Sequence, residues 1–330
     1  MAQAGILSLF NKYENLRIFL IHTIPAFPTR EFAPSSANLG YSLPFGWLNR
    51  FIWTFGERML HDGANKPIIK DMCSKNNLIP MNLEKTFSDS ILTLVDRPIT
   101  VFNVYSSSLL PKPDDWPDNQ HVVGFIRYNA LEQEALPEEL LDFIGDSSVP
   151  LVYVGLGSML GTAFDEPGKR EGIVNMLYDG LQIAASEIPF KAILHTSTGL
   201  KEAIDIPSNE STFVLKKPVS HAILFPKCSL IVHHGGAGTL QLAIASGCPS
   251  IILPCVTWTD QPFWADLVSR RNLGLNGGLI TKLDARKLSK LLVKALGHID
   301  SYRESVNIVA KGMRQDDPVG FIHKACQGVC

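Results

Sequence analysis

Residues 230–254, with the sequence LIVHHGGAGTLQLAIASGCPSIILP, place two histidines and a glycine-rich turn between a strand-like run and a helix-like run. Glycine weakens both kinds of element, so its repeated use indicates that a ligand or another backbone approaches closely. A helix beginning near Thr239 would offer free N–H groups and a partial positive charge to an anion. Gly236 and Gly238 would let a phosphate reach the backbone, with His234 and the Thr239 hydroxyl as further donors. A tight turn without a ligand is the structural alternative.

A second glycine turn, GLGSML at residues 155–160, follows another apolar run, VPLVYVGLG at 149–157. The carboxyl ends of parallel strands meet at one sheet edge, and ligands bind in the crevice there. Two such turns at one edge could hold a diphosphate between them. Neither turn matches the dinucleotide fingerprint or the P-loop, so each alone is a weak signal.

The second half of the chain alternates short apolar runs with segments of helical spacing. The run at 149–157 is continuously apolar, as expected of a strand buried on both faces. Residues 171–187 have apolar positions at helical spacing, and a further helix begins with Asp284 as its N-cap. Strands that alternate with helices predict a mostly parallel, Rossmann-like sheet. The other predicted strands are FKAILHT, TFVLKK, SLIVHH and PSIILP, and the other helices TLQLAIAS and QPFWADLVSRRN.

The first half is less regular, although NLRIFLIHTIPAFP and SILTLVDRPITVFNVY each contain a plausible strand. GWLNRFIWTFGERML predicts a helix with an aromatic face formed by Trp47, Phe51 and Phe55. We interpret this face as core packing, with the wall of a groove for an apolar ligand as the alternative. LEQEALPEELLDFIGDSSVP predicts an acidic, exposed helix that leads into the second half.

Composition bounds the class of protein. A length of 330 residues favours two domains, and a net charge of −2 gives no sign of a nucleic-acid-binding surface. The six cysteines are scattered without a CxxC pair, which favours free thiols in a reducing compartment. The spacing of His233 and His234 relative to the cysteines fits no usual zinc site, so we expect no metal.

Two segments have features relevant to targeting or membrane insertion. The N-terminal stretch MAQAGILSLFNKYENLRIFL has no basic n-region, so we expect it not to be a signal peptide. Residues 228–259 contain no charged side chain, but glycines and prolines interrupt them, which argues against a spanning helix.

Four motifs in order resemble the nucleotide-sugar half of family 1 glycosyltransferases: PLVYVGLGSM, SHAILFPKCSLIVHHGGAGT, ASGCPSIILP and DQPFWADLVSRRNLG. Sterol glucosyltransferases and antibiotic glycosyltransferases are the most similar branches, and weaker likeness extends to IPAFPTREF and SSSLLPKPDDWPDNQHVVGF. The resemblance implies the GT-B architecture, an α/β fold with two Rossmann-like domains of parallel sheets. It implies a partial acceptor-binding domain over residues 1–130, a linker over 131–147, and a donor-binding domain with C-terminal helices over 148–330.

The resemblance also implies roles for individual residues. The backbone at Val219 and His221 would hold the uracil, and His234 would contact the diphosphate. Asp260 and Gln261 would bind hydroxyls of the donor sugar, because a carboxylate accepts and an amide both accepts and donates. Without the family, Asp260 is read as a helix N-cap. Leu242 stands where the plant branch has a glutamate for the ribose. The remaining positions implied to bind the donor are Gly157, Ser158, Gly236, Ala237, Gly238 and Thr239.

One family feature has no counterpart in this chain. The family's first strand ends in a glycine-rich turn with a histidine or aspartate as general base, and this chain begins at what resembles the middle of that domain. We therefore expect the first sheet to be incomplete and leave the catalytic residue unknown, with His22 and Asp96 as weak candidates.

Two functions from different classes follow. The first is an inverting transfer of a hexose, most simply glucose, from a UDP-sugar to an apolar hydroxyl acceptor such as a sterol or lipid, without a metal or other cofactor. The second is an impaired nucleotide-sugar-binding module that needs a partner for the acceptor half, and exposed sheet surface would then favour self-association. A nucleotide-sugar epimerase ranks last, because the dinucleotide fingerprint is missing. The enzyme reading implies a cytoplasmic protein in peripheral contact with membranes through its acceptor.

Overall fold

The computed structural model describes residues 13, 16–78, 84–86, 88–89, 99–127, 135–145, 148–166, 168–197 and 204–328. They form two parallel sheets flanked by helices, which confirms the predicted α/β class. The strands are β1 (Phe19–His22), β2 (Thr100–Asn103), β3 (Gln120–Val122), β4 (Leu151–Gly155), β5 (Lys191–His195), β6 (Thr212–Leu215), β7 (Leu230–His233), β8 (Ser250–Ile252) and β9 (Gly274–Asn276).

Eleven α-helices lie within the described residues. A π-helical segment, His61–Asn65, joins the first two. The helices are α1 (Gly46–Leu60), α2 (Lys66–Lys75), α3 (Glu138–Ile144), α4 (Met159–Thr162), α5 (Lys169–Glu187), α6 (His221–Leu224), α7 (Ala237–Ala245), α8 (Gln261–Arg270), α9 (Ala285–Gly297), α10 (Ile299–Met313) and α11 (Pro318–Gln327).

The second sheet has six parallel strands in the order β6-β5-β4-β7-β8-β9. Its central strands β4 and β7 are buried along their whole length, as their uninterrupted apolar sequences predict. Helices α5 and α9 cover one face, where Leu177 and Leu288 join the core. The Asp284 side chain accepts a hydrogen bond from the Lys287 backbone N–H at 2.8 Å, which confirms the predicted N-cap of α9.

The opposite face of this sheet packs against α3, α6 and α7. Leu140 of α3 is fully buried there, whereas Glu138 and Glu139 face solvent. The predicted exposed helix is therefore exposed on one side only, because its leucine periodicity gives it a narrow apolar stripe that the sheet covers.

The first sheet has three described strands in the parallel order β1-β2-β3. Thr100, Val101, Phe102 and Asn103 of β2 pair with β1, and β3 adds on the other side. The C-terminal helix α11 packs on this sheet rather than on the second one, and Phe321 lies edge-on to Phe102 with ring centroids 6.2 Å apart.

The aromatic face of α1 corrects one prediction. Trp47, Phe51 and Phe55 are 64%, 54% and 55% exposed, so they do not pack in a core. The side of α1 that faces the protein carries Asn49, which donates to the Arg30 carbonyl oxygen at 2.9 Å, and Trp53, which donates to the Phe32 carbonyl oxygen at 3.0 Å. Because these two hydrogen bonds anchor the helix on that side, its aromatic stripe is directed outward.

One hydrophobic core joins the two halves of the chain. Phe32 of the first half packs edge-on against Phe263 of α8, with ring centroids 5.6 Å apart. The Ser106 backbone N–H donates to Gln241 Oε1 of α7 at 2.9 Å, and the Arg271 guanidinium donates to the carbonyl oxygens of Ser108 and Leu109. The first half therefore helps to position α7 and α8, which carry the candidate site.

None of the helices in the described parts of the chain is both long and apolar enough to span a bilayer.

Candidate functional site

The two glycine turns meet at the carboxyl edge of the second sheet. Strands β4 and β7 are neighbours, and Gly155 pairs with His233 in their register. The turns that follow are consequently side by side: a Cβ placed on Gly157 would lie 3.8 Å from His234 Cε1. Gly157 has a φ of +57°, which glycine adopts without strain, and the exposed Ser158 is the N-cap residue of the short helix α4.

The turn after β7 opens directly into α7, which begins at Ala237, two residues earlier than the sequence suggested. Gly235 has a φ of +94°, and a Cβ there would lie 2.6 Å from Ile252 Cγ2, so both conformation and space require glycine. Gly236 is the N-cap residue and has no side chain to occupy the first-turn N–H groups. Gly238 is exposed and has open space where a Cβ would be.

His234 lies over this turn. Its Nε2 is the ring atom nearest to Gly236, since a Cβ there would come within 2.6 Å of it. Nδ1 is buried and has no hydrogen-bond partner in the described part of the chain. Burial lowers the pKa of His234 to about 4, so the free side chain is neutral at pH 7 and can donate from one ring nitrogen only.

Asp260 and Gln261 stand at the start of α8, next to the phosphate turn. Asp260 occupies the N-cap position, but it makes no side-chain capping bond; instead its Oδ2 accepts from Trp264 Nε1 at 2.7 Å. Burial raises the pKa of the Asp260 carboxyl, against the lowering effect of the Trp264 bond and of the Ala237 backbone N–H. The carboxyl therefore lies at the N-terminus of α7.

The Gln261 side chain has a structural task that the sequence did not indicate. Its Oε1 accepts from the backbone N–H groups of Cys255 at 2.8 Å and Val256 at 3.4 Å. The residue is 3% exposed. Both lone pairs of Oε1 are thus engaged in holding the loop after β8, and the Nε2 amide remains as the group that can donate to a ligand.

An open cavity of about 940 Å³ extends from this edge between the two halves of the chain. Val219 and His221 line it on the side of β6, and Gly238, Thr239 and Leu242 line it on the side of α7. The two residues expected to hold a base therefore share this cavity with Gly238 and Thr239, two of the residues expected to hold phosphates. Phe125 and Ile126 of the first half complete it.

Curated relatives of this chain are glycosyltransferases. The sterol 3-beta-glucosyltransferase UGT80A2 of Arabidopsis thaliana is 28% identical over 316 residues, and the alignment covers 93% of this chain and 44% of that protein. The sterol 3-beta-glucosyltransferase UGT80B1 of the same plant is 30% identical over 291 residues, covering 82% and 40%. The chain therefore spans less than half the length of these relatives. No protein-family model matches the chain.

Among solved structures, that of CalG4, the calicheamicin glycosyltransferase, superimposes with a TM-score of 0.65 at 15% identity. It covers 98% of this chain and 71% of CalG4. The chain is a homologue of the GT-B glycosyltransferases. Its two parallel sheets facing a common cavity are the two halves of the GT-B fold.

The described residues of this GT-B homologue hold no group of three or more histidine, cysteine, aspartate or glutamate side chains placed to bind a metal ion. His22, one candidate for the general base, ends β1, is 5% exposed, and has its pKa lowered by burial. Asp96, the other candidate, lies outside the described residues.

Sequence reasoning missed a buried polar group under the cavity. The hydroxyl oxygen of Tyr153 in β4 lies 2.8 Å from His195 Nδ1 and 2.9 Å from His221 Nε2. The three residues come from three separate segments, and a tyrosine inside an otherwise apolar strand was the only available signal.

Proposed function

We propose that the chain binds a UDP-sugar at the carboxyl edge of its second sheet and supports the transfer of a hexose to an apolar hydroxyl acceptor such as a sterol. The observation that carries this proposal is the meeting of the two glycine turns at His234, where Gly157 and Gly236 both lie against its imidazole. A diphosphate needs several donors within a few ångströms, and a helix N-terminus with an adjacent imidazole supplies them.

The chemistry that fits the site is an inverting displacement. A general base takes the proton of the acceptor hydroxyl, the acceptor oxygen forms a bond to the anomeric carbon, and the bond from that carbon to the diphosphate oxygen breaks. The negative charge that develops on UDP is stabilised by the N–H groups of the first turn of α7 and by His234. We propose that the donor residues are Gly157, Ser158, Val219, His221, His234, Gly236, Ala237, Gly238, Thr239, Asp260 and Gln261.

A binding module without turnover is the second candidate. It is favoured by one observation: His22, the candidate base that the structure describes, is almost completely buried. A base that cannot reach an acceptor hydroxyl would leave donor binding intact and remove about 10² to 10⁴ in rate.

A transfer assay with the full chain, radiolabelled UDP-glucose and a sterol acceptor separates the two candidates when it is paired with a direct measurement of UDP-glucose binding. Steryl glucoside formation that falls in the Gly238→Ala variant supports the enzyme. Binding without product supports the module. Failure of UDP-glucose to bind at millimolar concentration contradicts both.

A further inference from the structure

A row of three side chains, two of them buried and the third on the wall, lies at the cavity. The Tyr153 hydroxyl is 2.8 Å from His195 Nδ1 and 2.9 Å from His221 Nε2. Tyr153 is 1% exposed and His195 9%. The His221 ring stacks on Phe225, with centroids 4.6 Å apart and an interplanar angle of 13°. The His221 end of the row is therefore held in a fixed orientation.

The fold leaves room for this row through a single glycine. Tyr153, Gly155, Ile193 and His195 lie on the same face of the sheet, because side chains alternate along each strand and Gly155 pairs with His195. A Cβ on Gly155 would collide with the Tyr153 hydroxyl. Glycine at this position thus lets the hydroxyl reach the carboxyl edge, where the donor site lies.

The protons of the row can be assigned by counting. Burial lowers the pKa of both histidines, that of His195 to about 4, and raises that of Tyr153, so all three groups are neutral at pH 7. A phenol has one proton, so Tyr153 donates to one imidazole and accepts from the other. Two arrangements are possible, and they differ in which ring nitrogens carry protons.

The surroundings of His195 favour one of these two hydrogen-bond arrangements. Its Nε2 is buried and has no hydrogen-bond partner among the described residues. If Tyr153 donated to His195 Nδ1, the proton of His195 would sit on Nε2 as a buried donor without an acceptor. Orphaned buried N–H groups are rarer than under-satisfied acceptors. The favoured arrangement has His195 Nδ1–H donating to Tyr153 and Tyr153 donating to His221 Nε2, which leaves the His221 proton on Nδ1.

We propose that His195 and Tyr153 act as positioning residues that fix His221 as an Nδ1–H donor on the cavity wall, where it selects a nucleobase carbonyl oxygen. The inference rests on the proposed function, since it concerns the base of the same nucleotide-sugar. His221 is half-buried and lines the cavity beside Val219. Its inner nitrogen is engaged by Tyr153, so Nδ1 is the nitrogen left for a ligand.

The ligand class follows from the donor. At position 4 of the pyrimidine ring an N–H group pairs with the carbonyl oxygen of uracil, whereas cytosine presents an amine, a second donor, at the same position. The carbonyl oxygen at position 2 is common to both bases, so the proposal places His221 at position 4. A site built to hydrogen-bond one substrate group discriminates strongly against an analogue that leaves its polar group unpaired. We therefore expect the chain to bind UDP in preference to CDP.

Nitrogen-15 NMR of the full chain tests the tautomer without any ligand. In the chain labelled at its histidines, with the His221→Ala variant used to assign the signal, we expect His221 to carry its proton on Nδ1. In Tyr153→Phe, which keeps the ring and removes only the hydroxyl, we expect a mixture of the two tautomers. A His221 proton on Nε2 in the unaltered chain overturns the proposal.

Calorimetry with UDP and CDP tests the consequence. The preference for UDP should fall about tenfold in Tyr153→Phe, the loss expected for one well-placed hydrogen bond. Tyr302→Phe should leave the ratio unchanged, because Tyr302 is a buried tyrosine in the core on the opposite face of the second sheet. An unchanged ratio in Tyr153→Phe overturns the inference while UDP still binds. Failure of UDP to bind the unaltered chain would instead contradict the proposed function.

Discussion

The imidazole of His234 covers the backbone of Gly236, so closely that a Cβ there would lie 2.6 Å from Nε2. Cε1 of the same ring lies 3.8 Å from the position of a Cβ on Gly157. A single side chain thus spans two turns that follow neighbouring strands. This relationship explains why the sequence places glycine at position 236, whereas position 157 favours glycine through its φ of +57°.

Substitution of Gly238 should affect UDP binding and stability in opposite directions. It lies in the first turn of α7 with open space around it, and so does Gly172 in α5. Alanine at either position should raise the free energy of unfolding by about 0.5 to 1 kcal/mol, because glycine costs conformational entropy in a helix. Only Gly238→Ala should weaken UDP, since its methyl group would occupy the space that a phosphate needs. Equal UDP affinity of both variants in calorimetry would argue against a phosphate at this turn.

Asp260 should contribute to binding of the donor sugar and not to binding of the nucleotide. Asp260→Asn retains an oxygen that can accept from Trp264 Nε1, so the thermal midpoint should change little. The lost charge should weaken UDP-glucose about tenfold to a hundredfold, the usual range for a hydrogen bond to a charged group, and leave UDP unchanged. Competition binding of the two ligands measures this, and a similar loss for both would assign Asp260 to the structure of the turn instead.

Acid should destabilise the chain through its buried histidines. The pKa of His234 is about 4 in the folded chain and near 6.5 when unfolded, so the unfolded state binds more protons between these values. The stability that neutral His234 contributes is complete above pH 6.5 and is lost as the pH falls toward 4. Linkage gives about 2 kcal/mol of loss for this histidine between pH 7 and pH 5.

Urea unfolding at pH 7 and pH 5 checks the sign and the source of this dependence. His234→Ala should reduce the difference between the two pH values by about 2 kcal/mol. His323→Ala, which removes an exposed histidine of α11, should not change it. A chain equally stable at both pH values, or a His234→Ala variant with the full difference, would contradict the assigned burial.

The sequence predicted the second sheet well because its strands are buried on both faces, and such strands have continuous apolar sequences. It also located the glycine turns, since a positive φ and a close contact at Gly235 leave no other residue. It failed for the aromatic face of α1, because periodicity identifies an apolar stripe but not the element that covers it. It also failed for Tyr153, whose histidine partners are brought close only by the fold. It failed for Gln261 as well, because spacing does not show that the side chain folds back onto the loop after β8.

The most direct test of the central claim compares UDP with uridine in the full chain by calorimetry, with a chelator present throughout. We expect UDP to bind without added metal, and His234→Ala to weaken UDP about tenfold to a hundredfold while uridine changes little, because a hydrogen bond to a charged phosphate is worth about 1.5 to 3 kcal/mol. His323→Ala should behave like the unaltered chain. No binding of UDP at millimolar concentration, or an equal loss of UDP and uridine in His234→Ala, would contradict a diphosphate site between the two glycine turns.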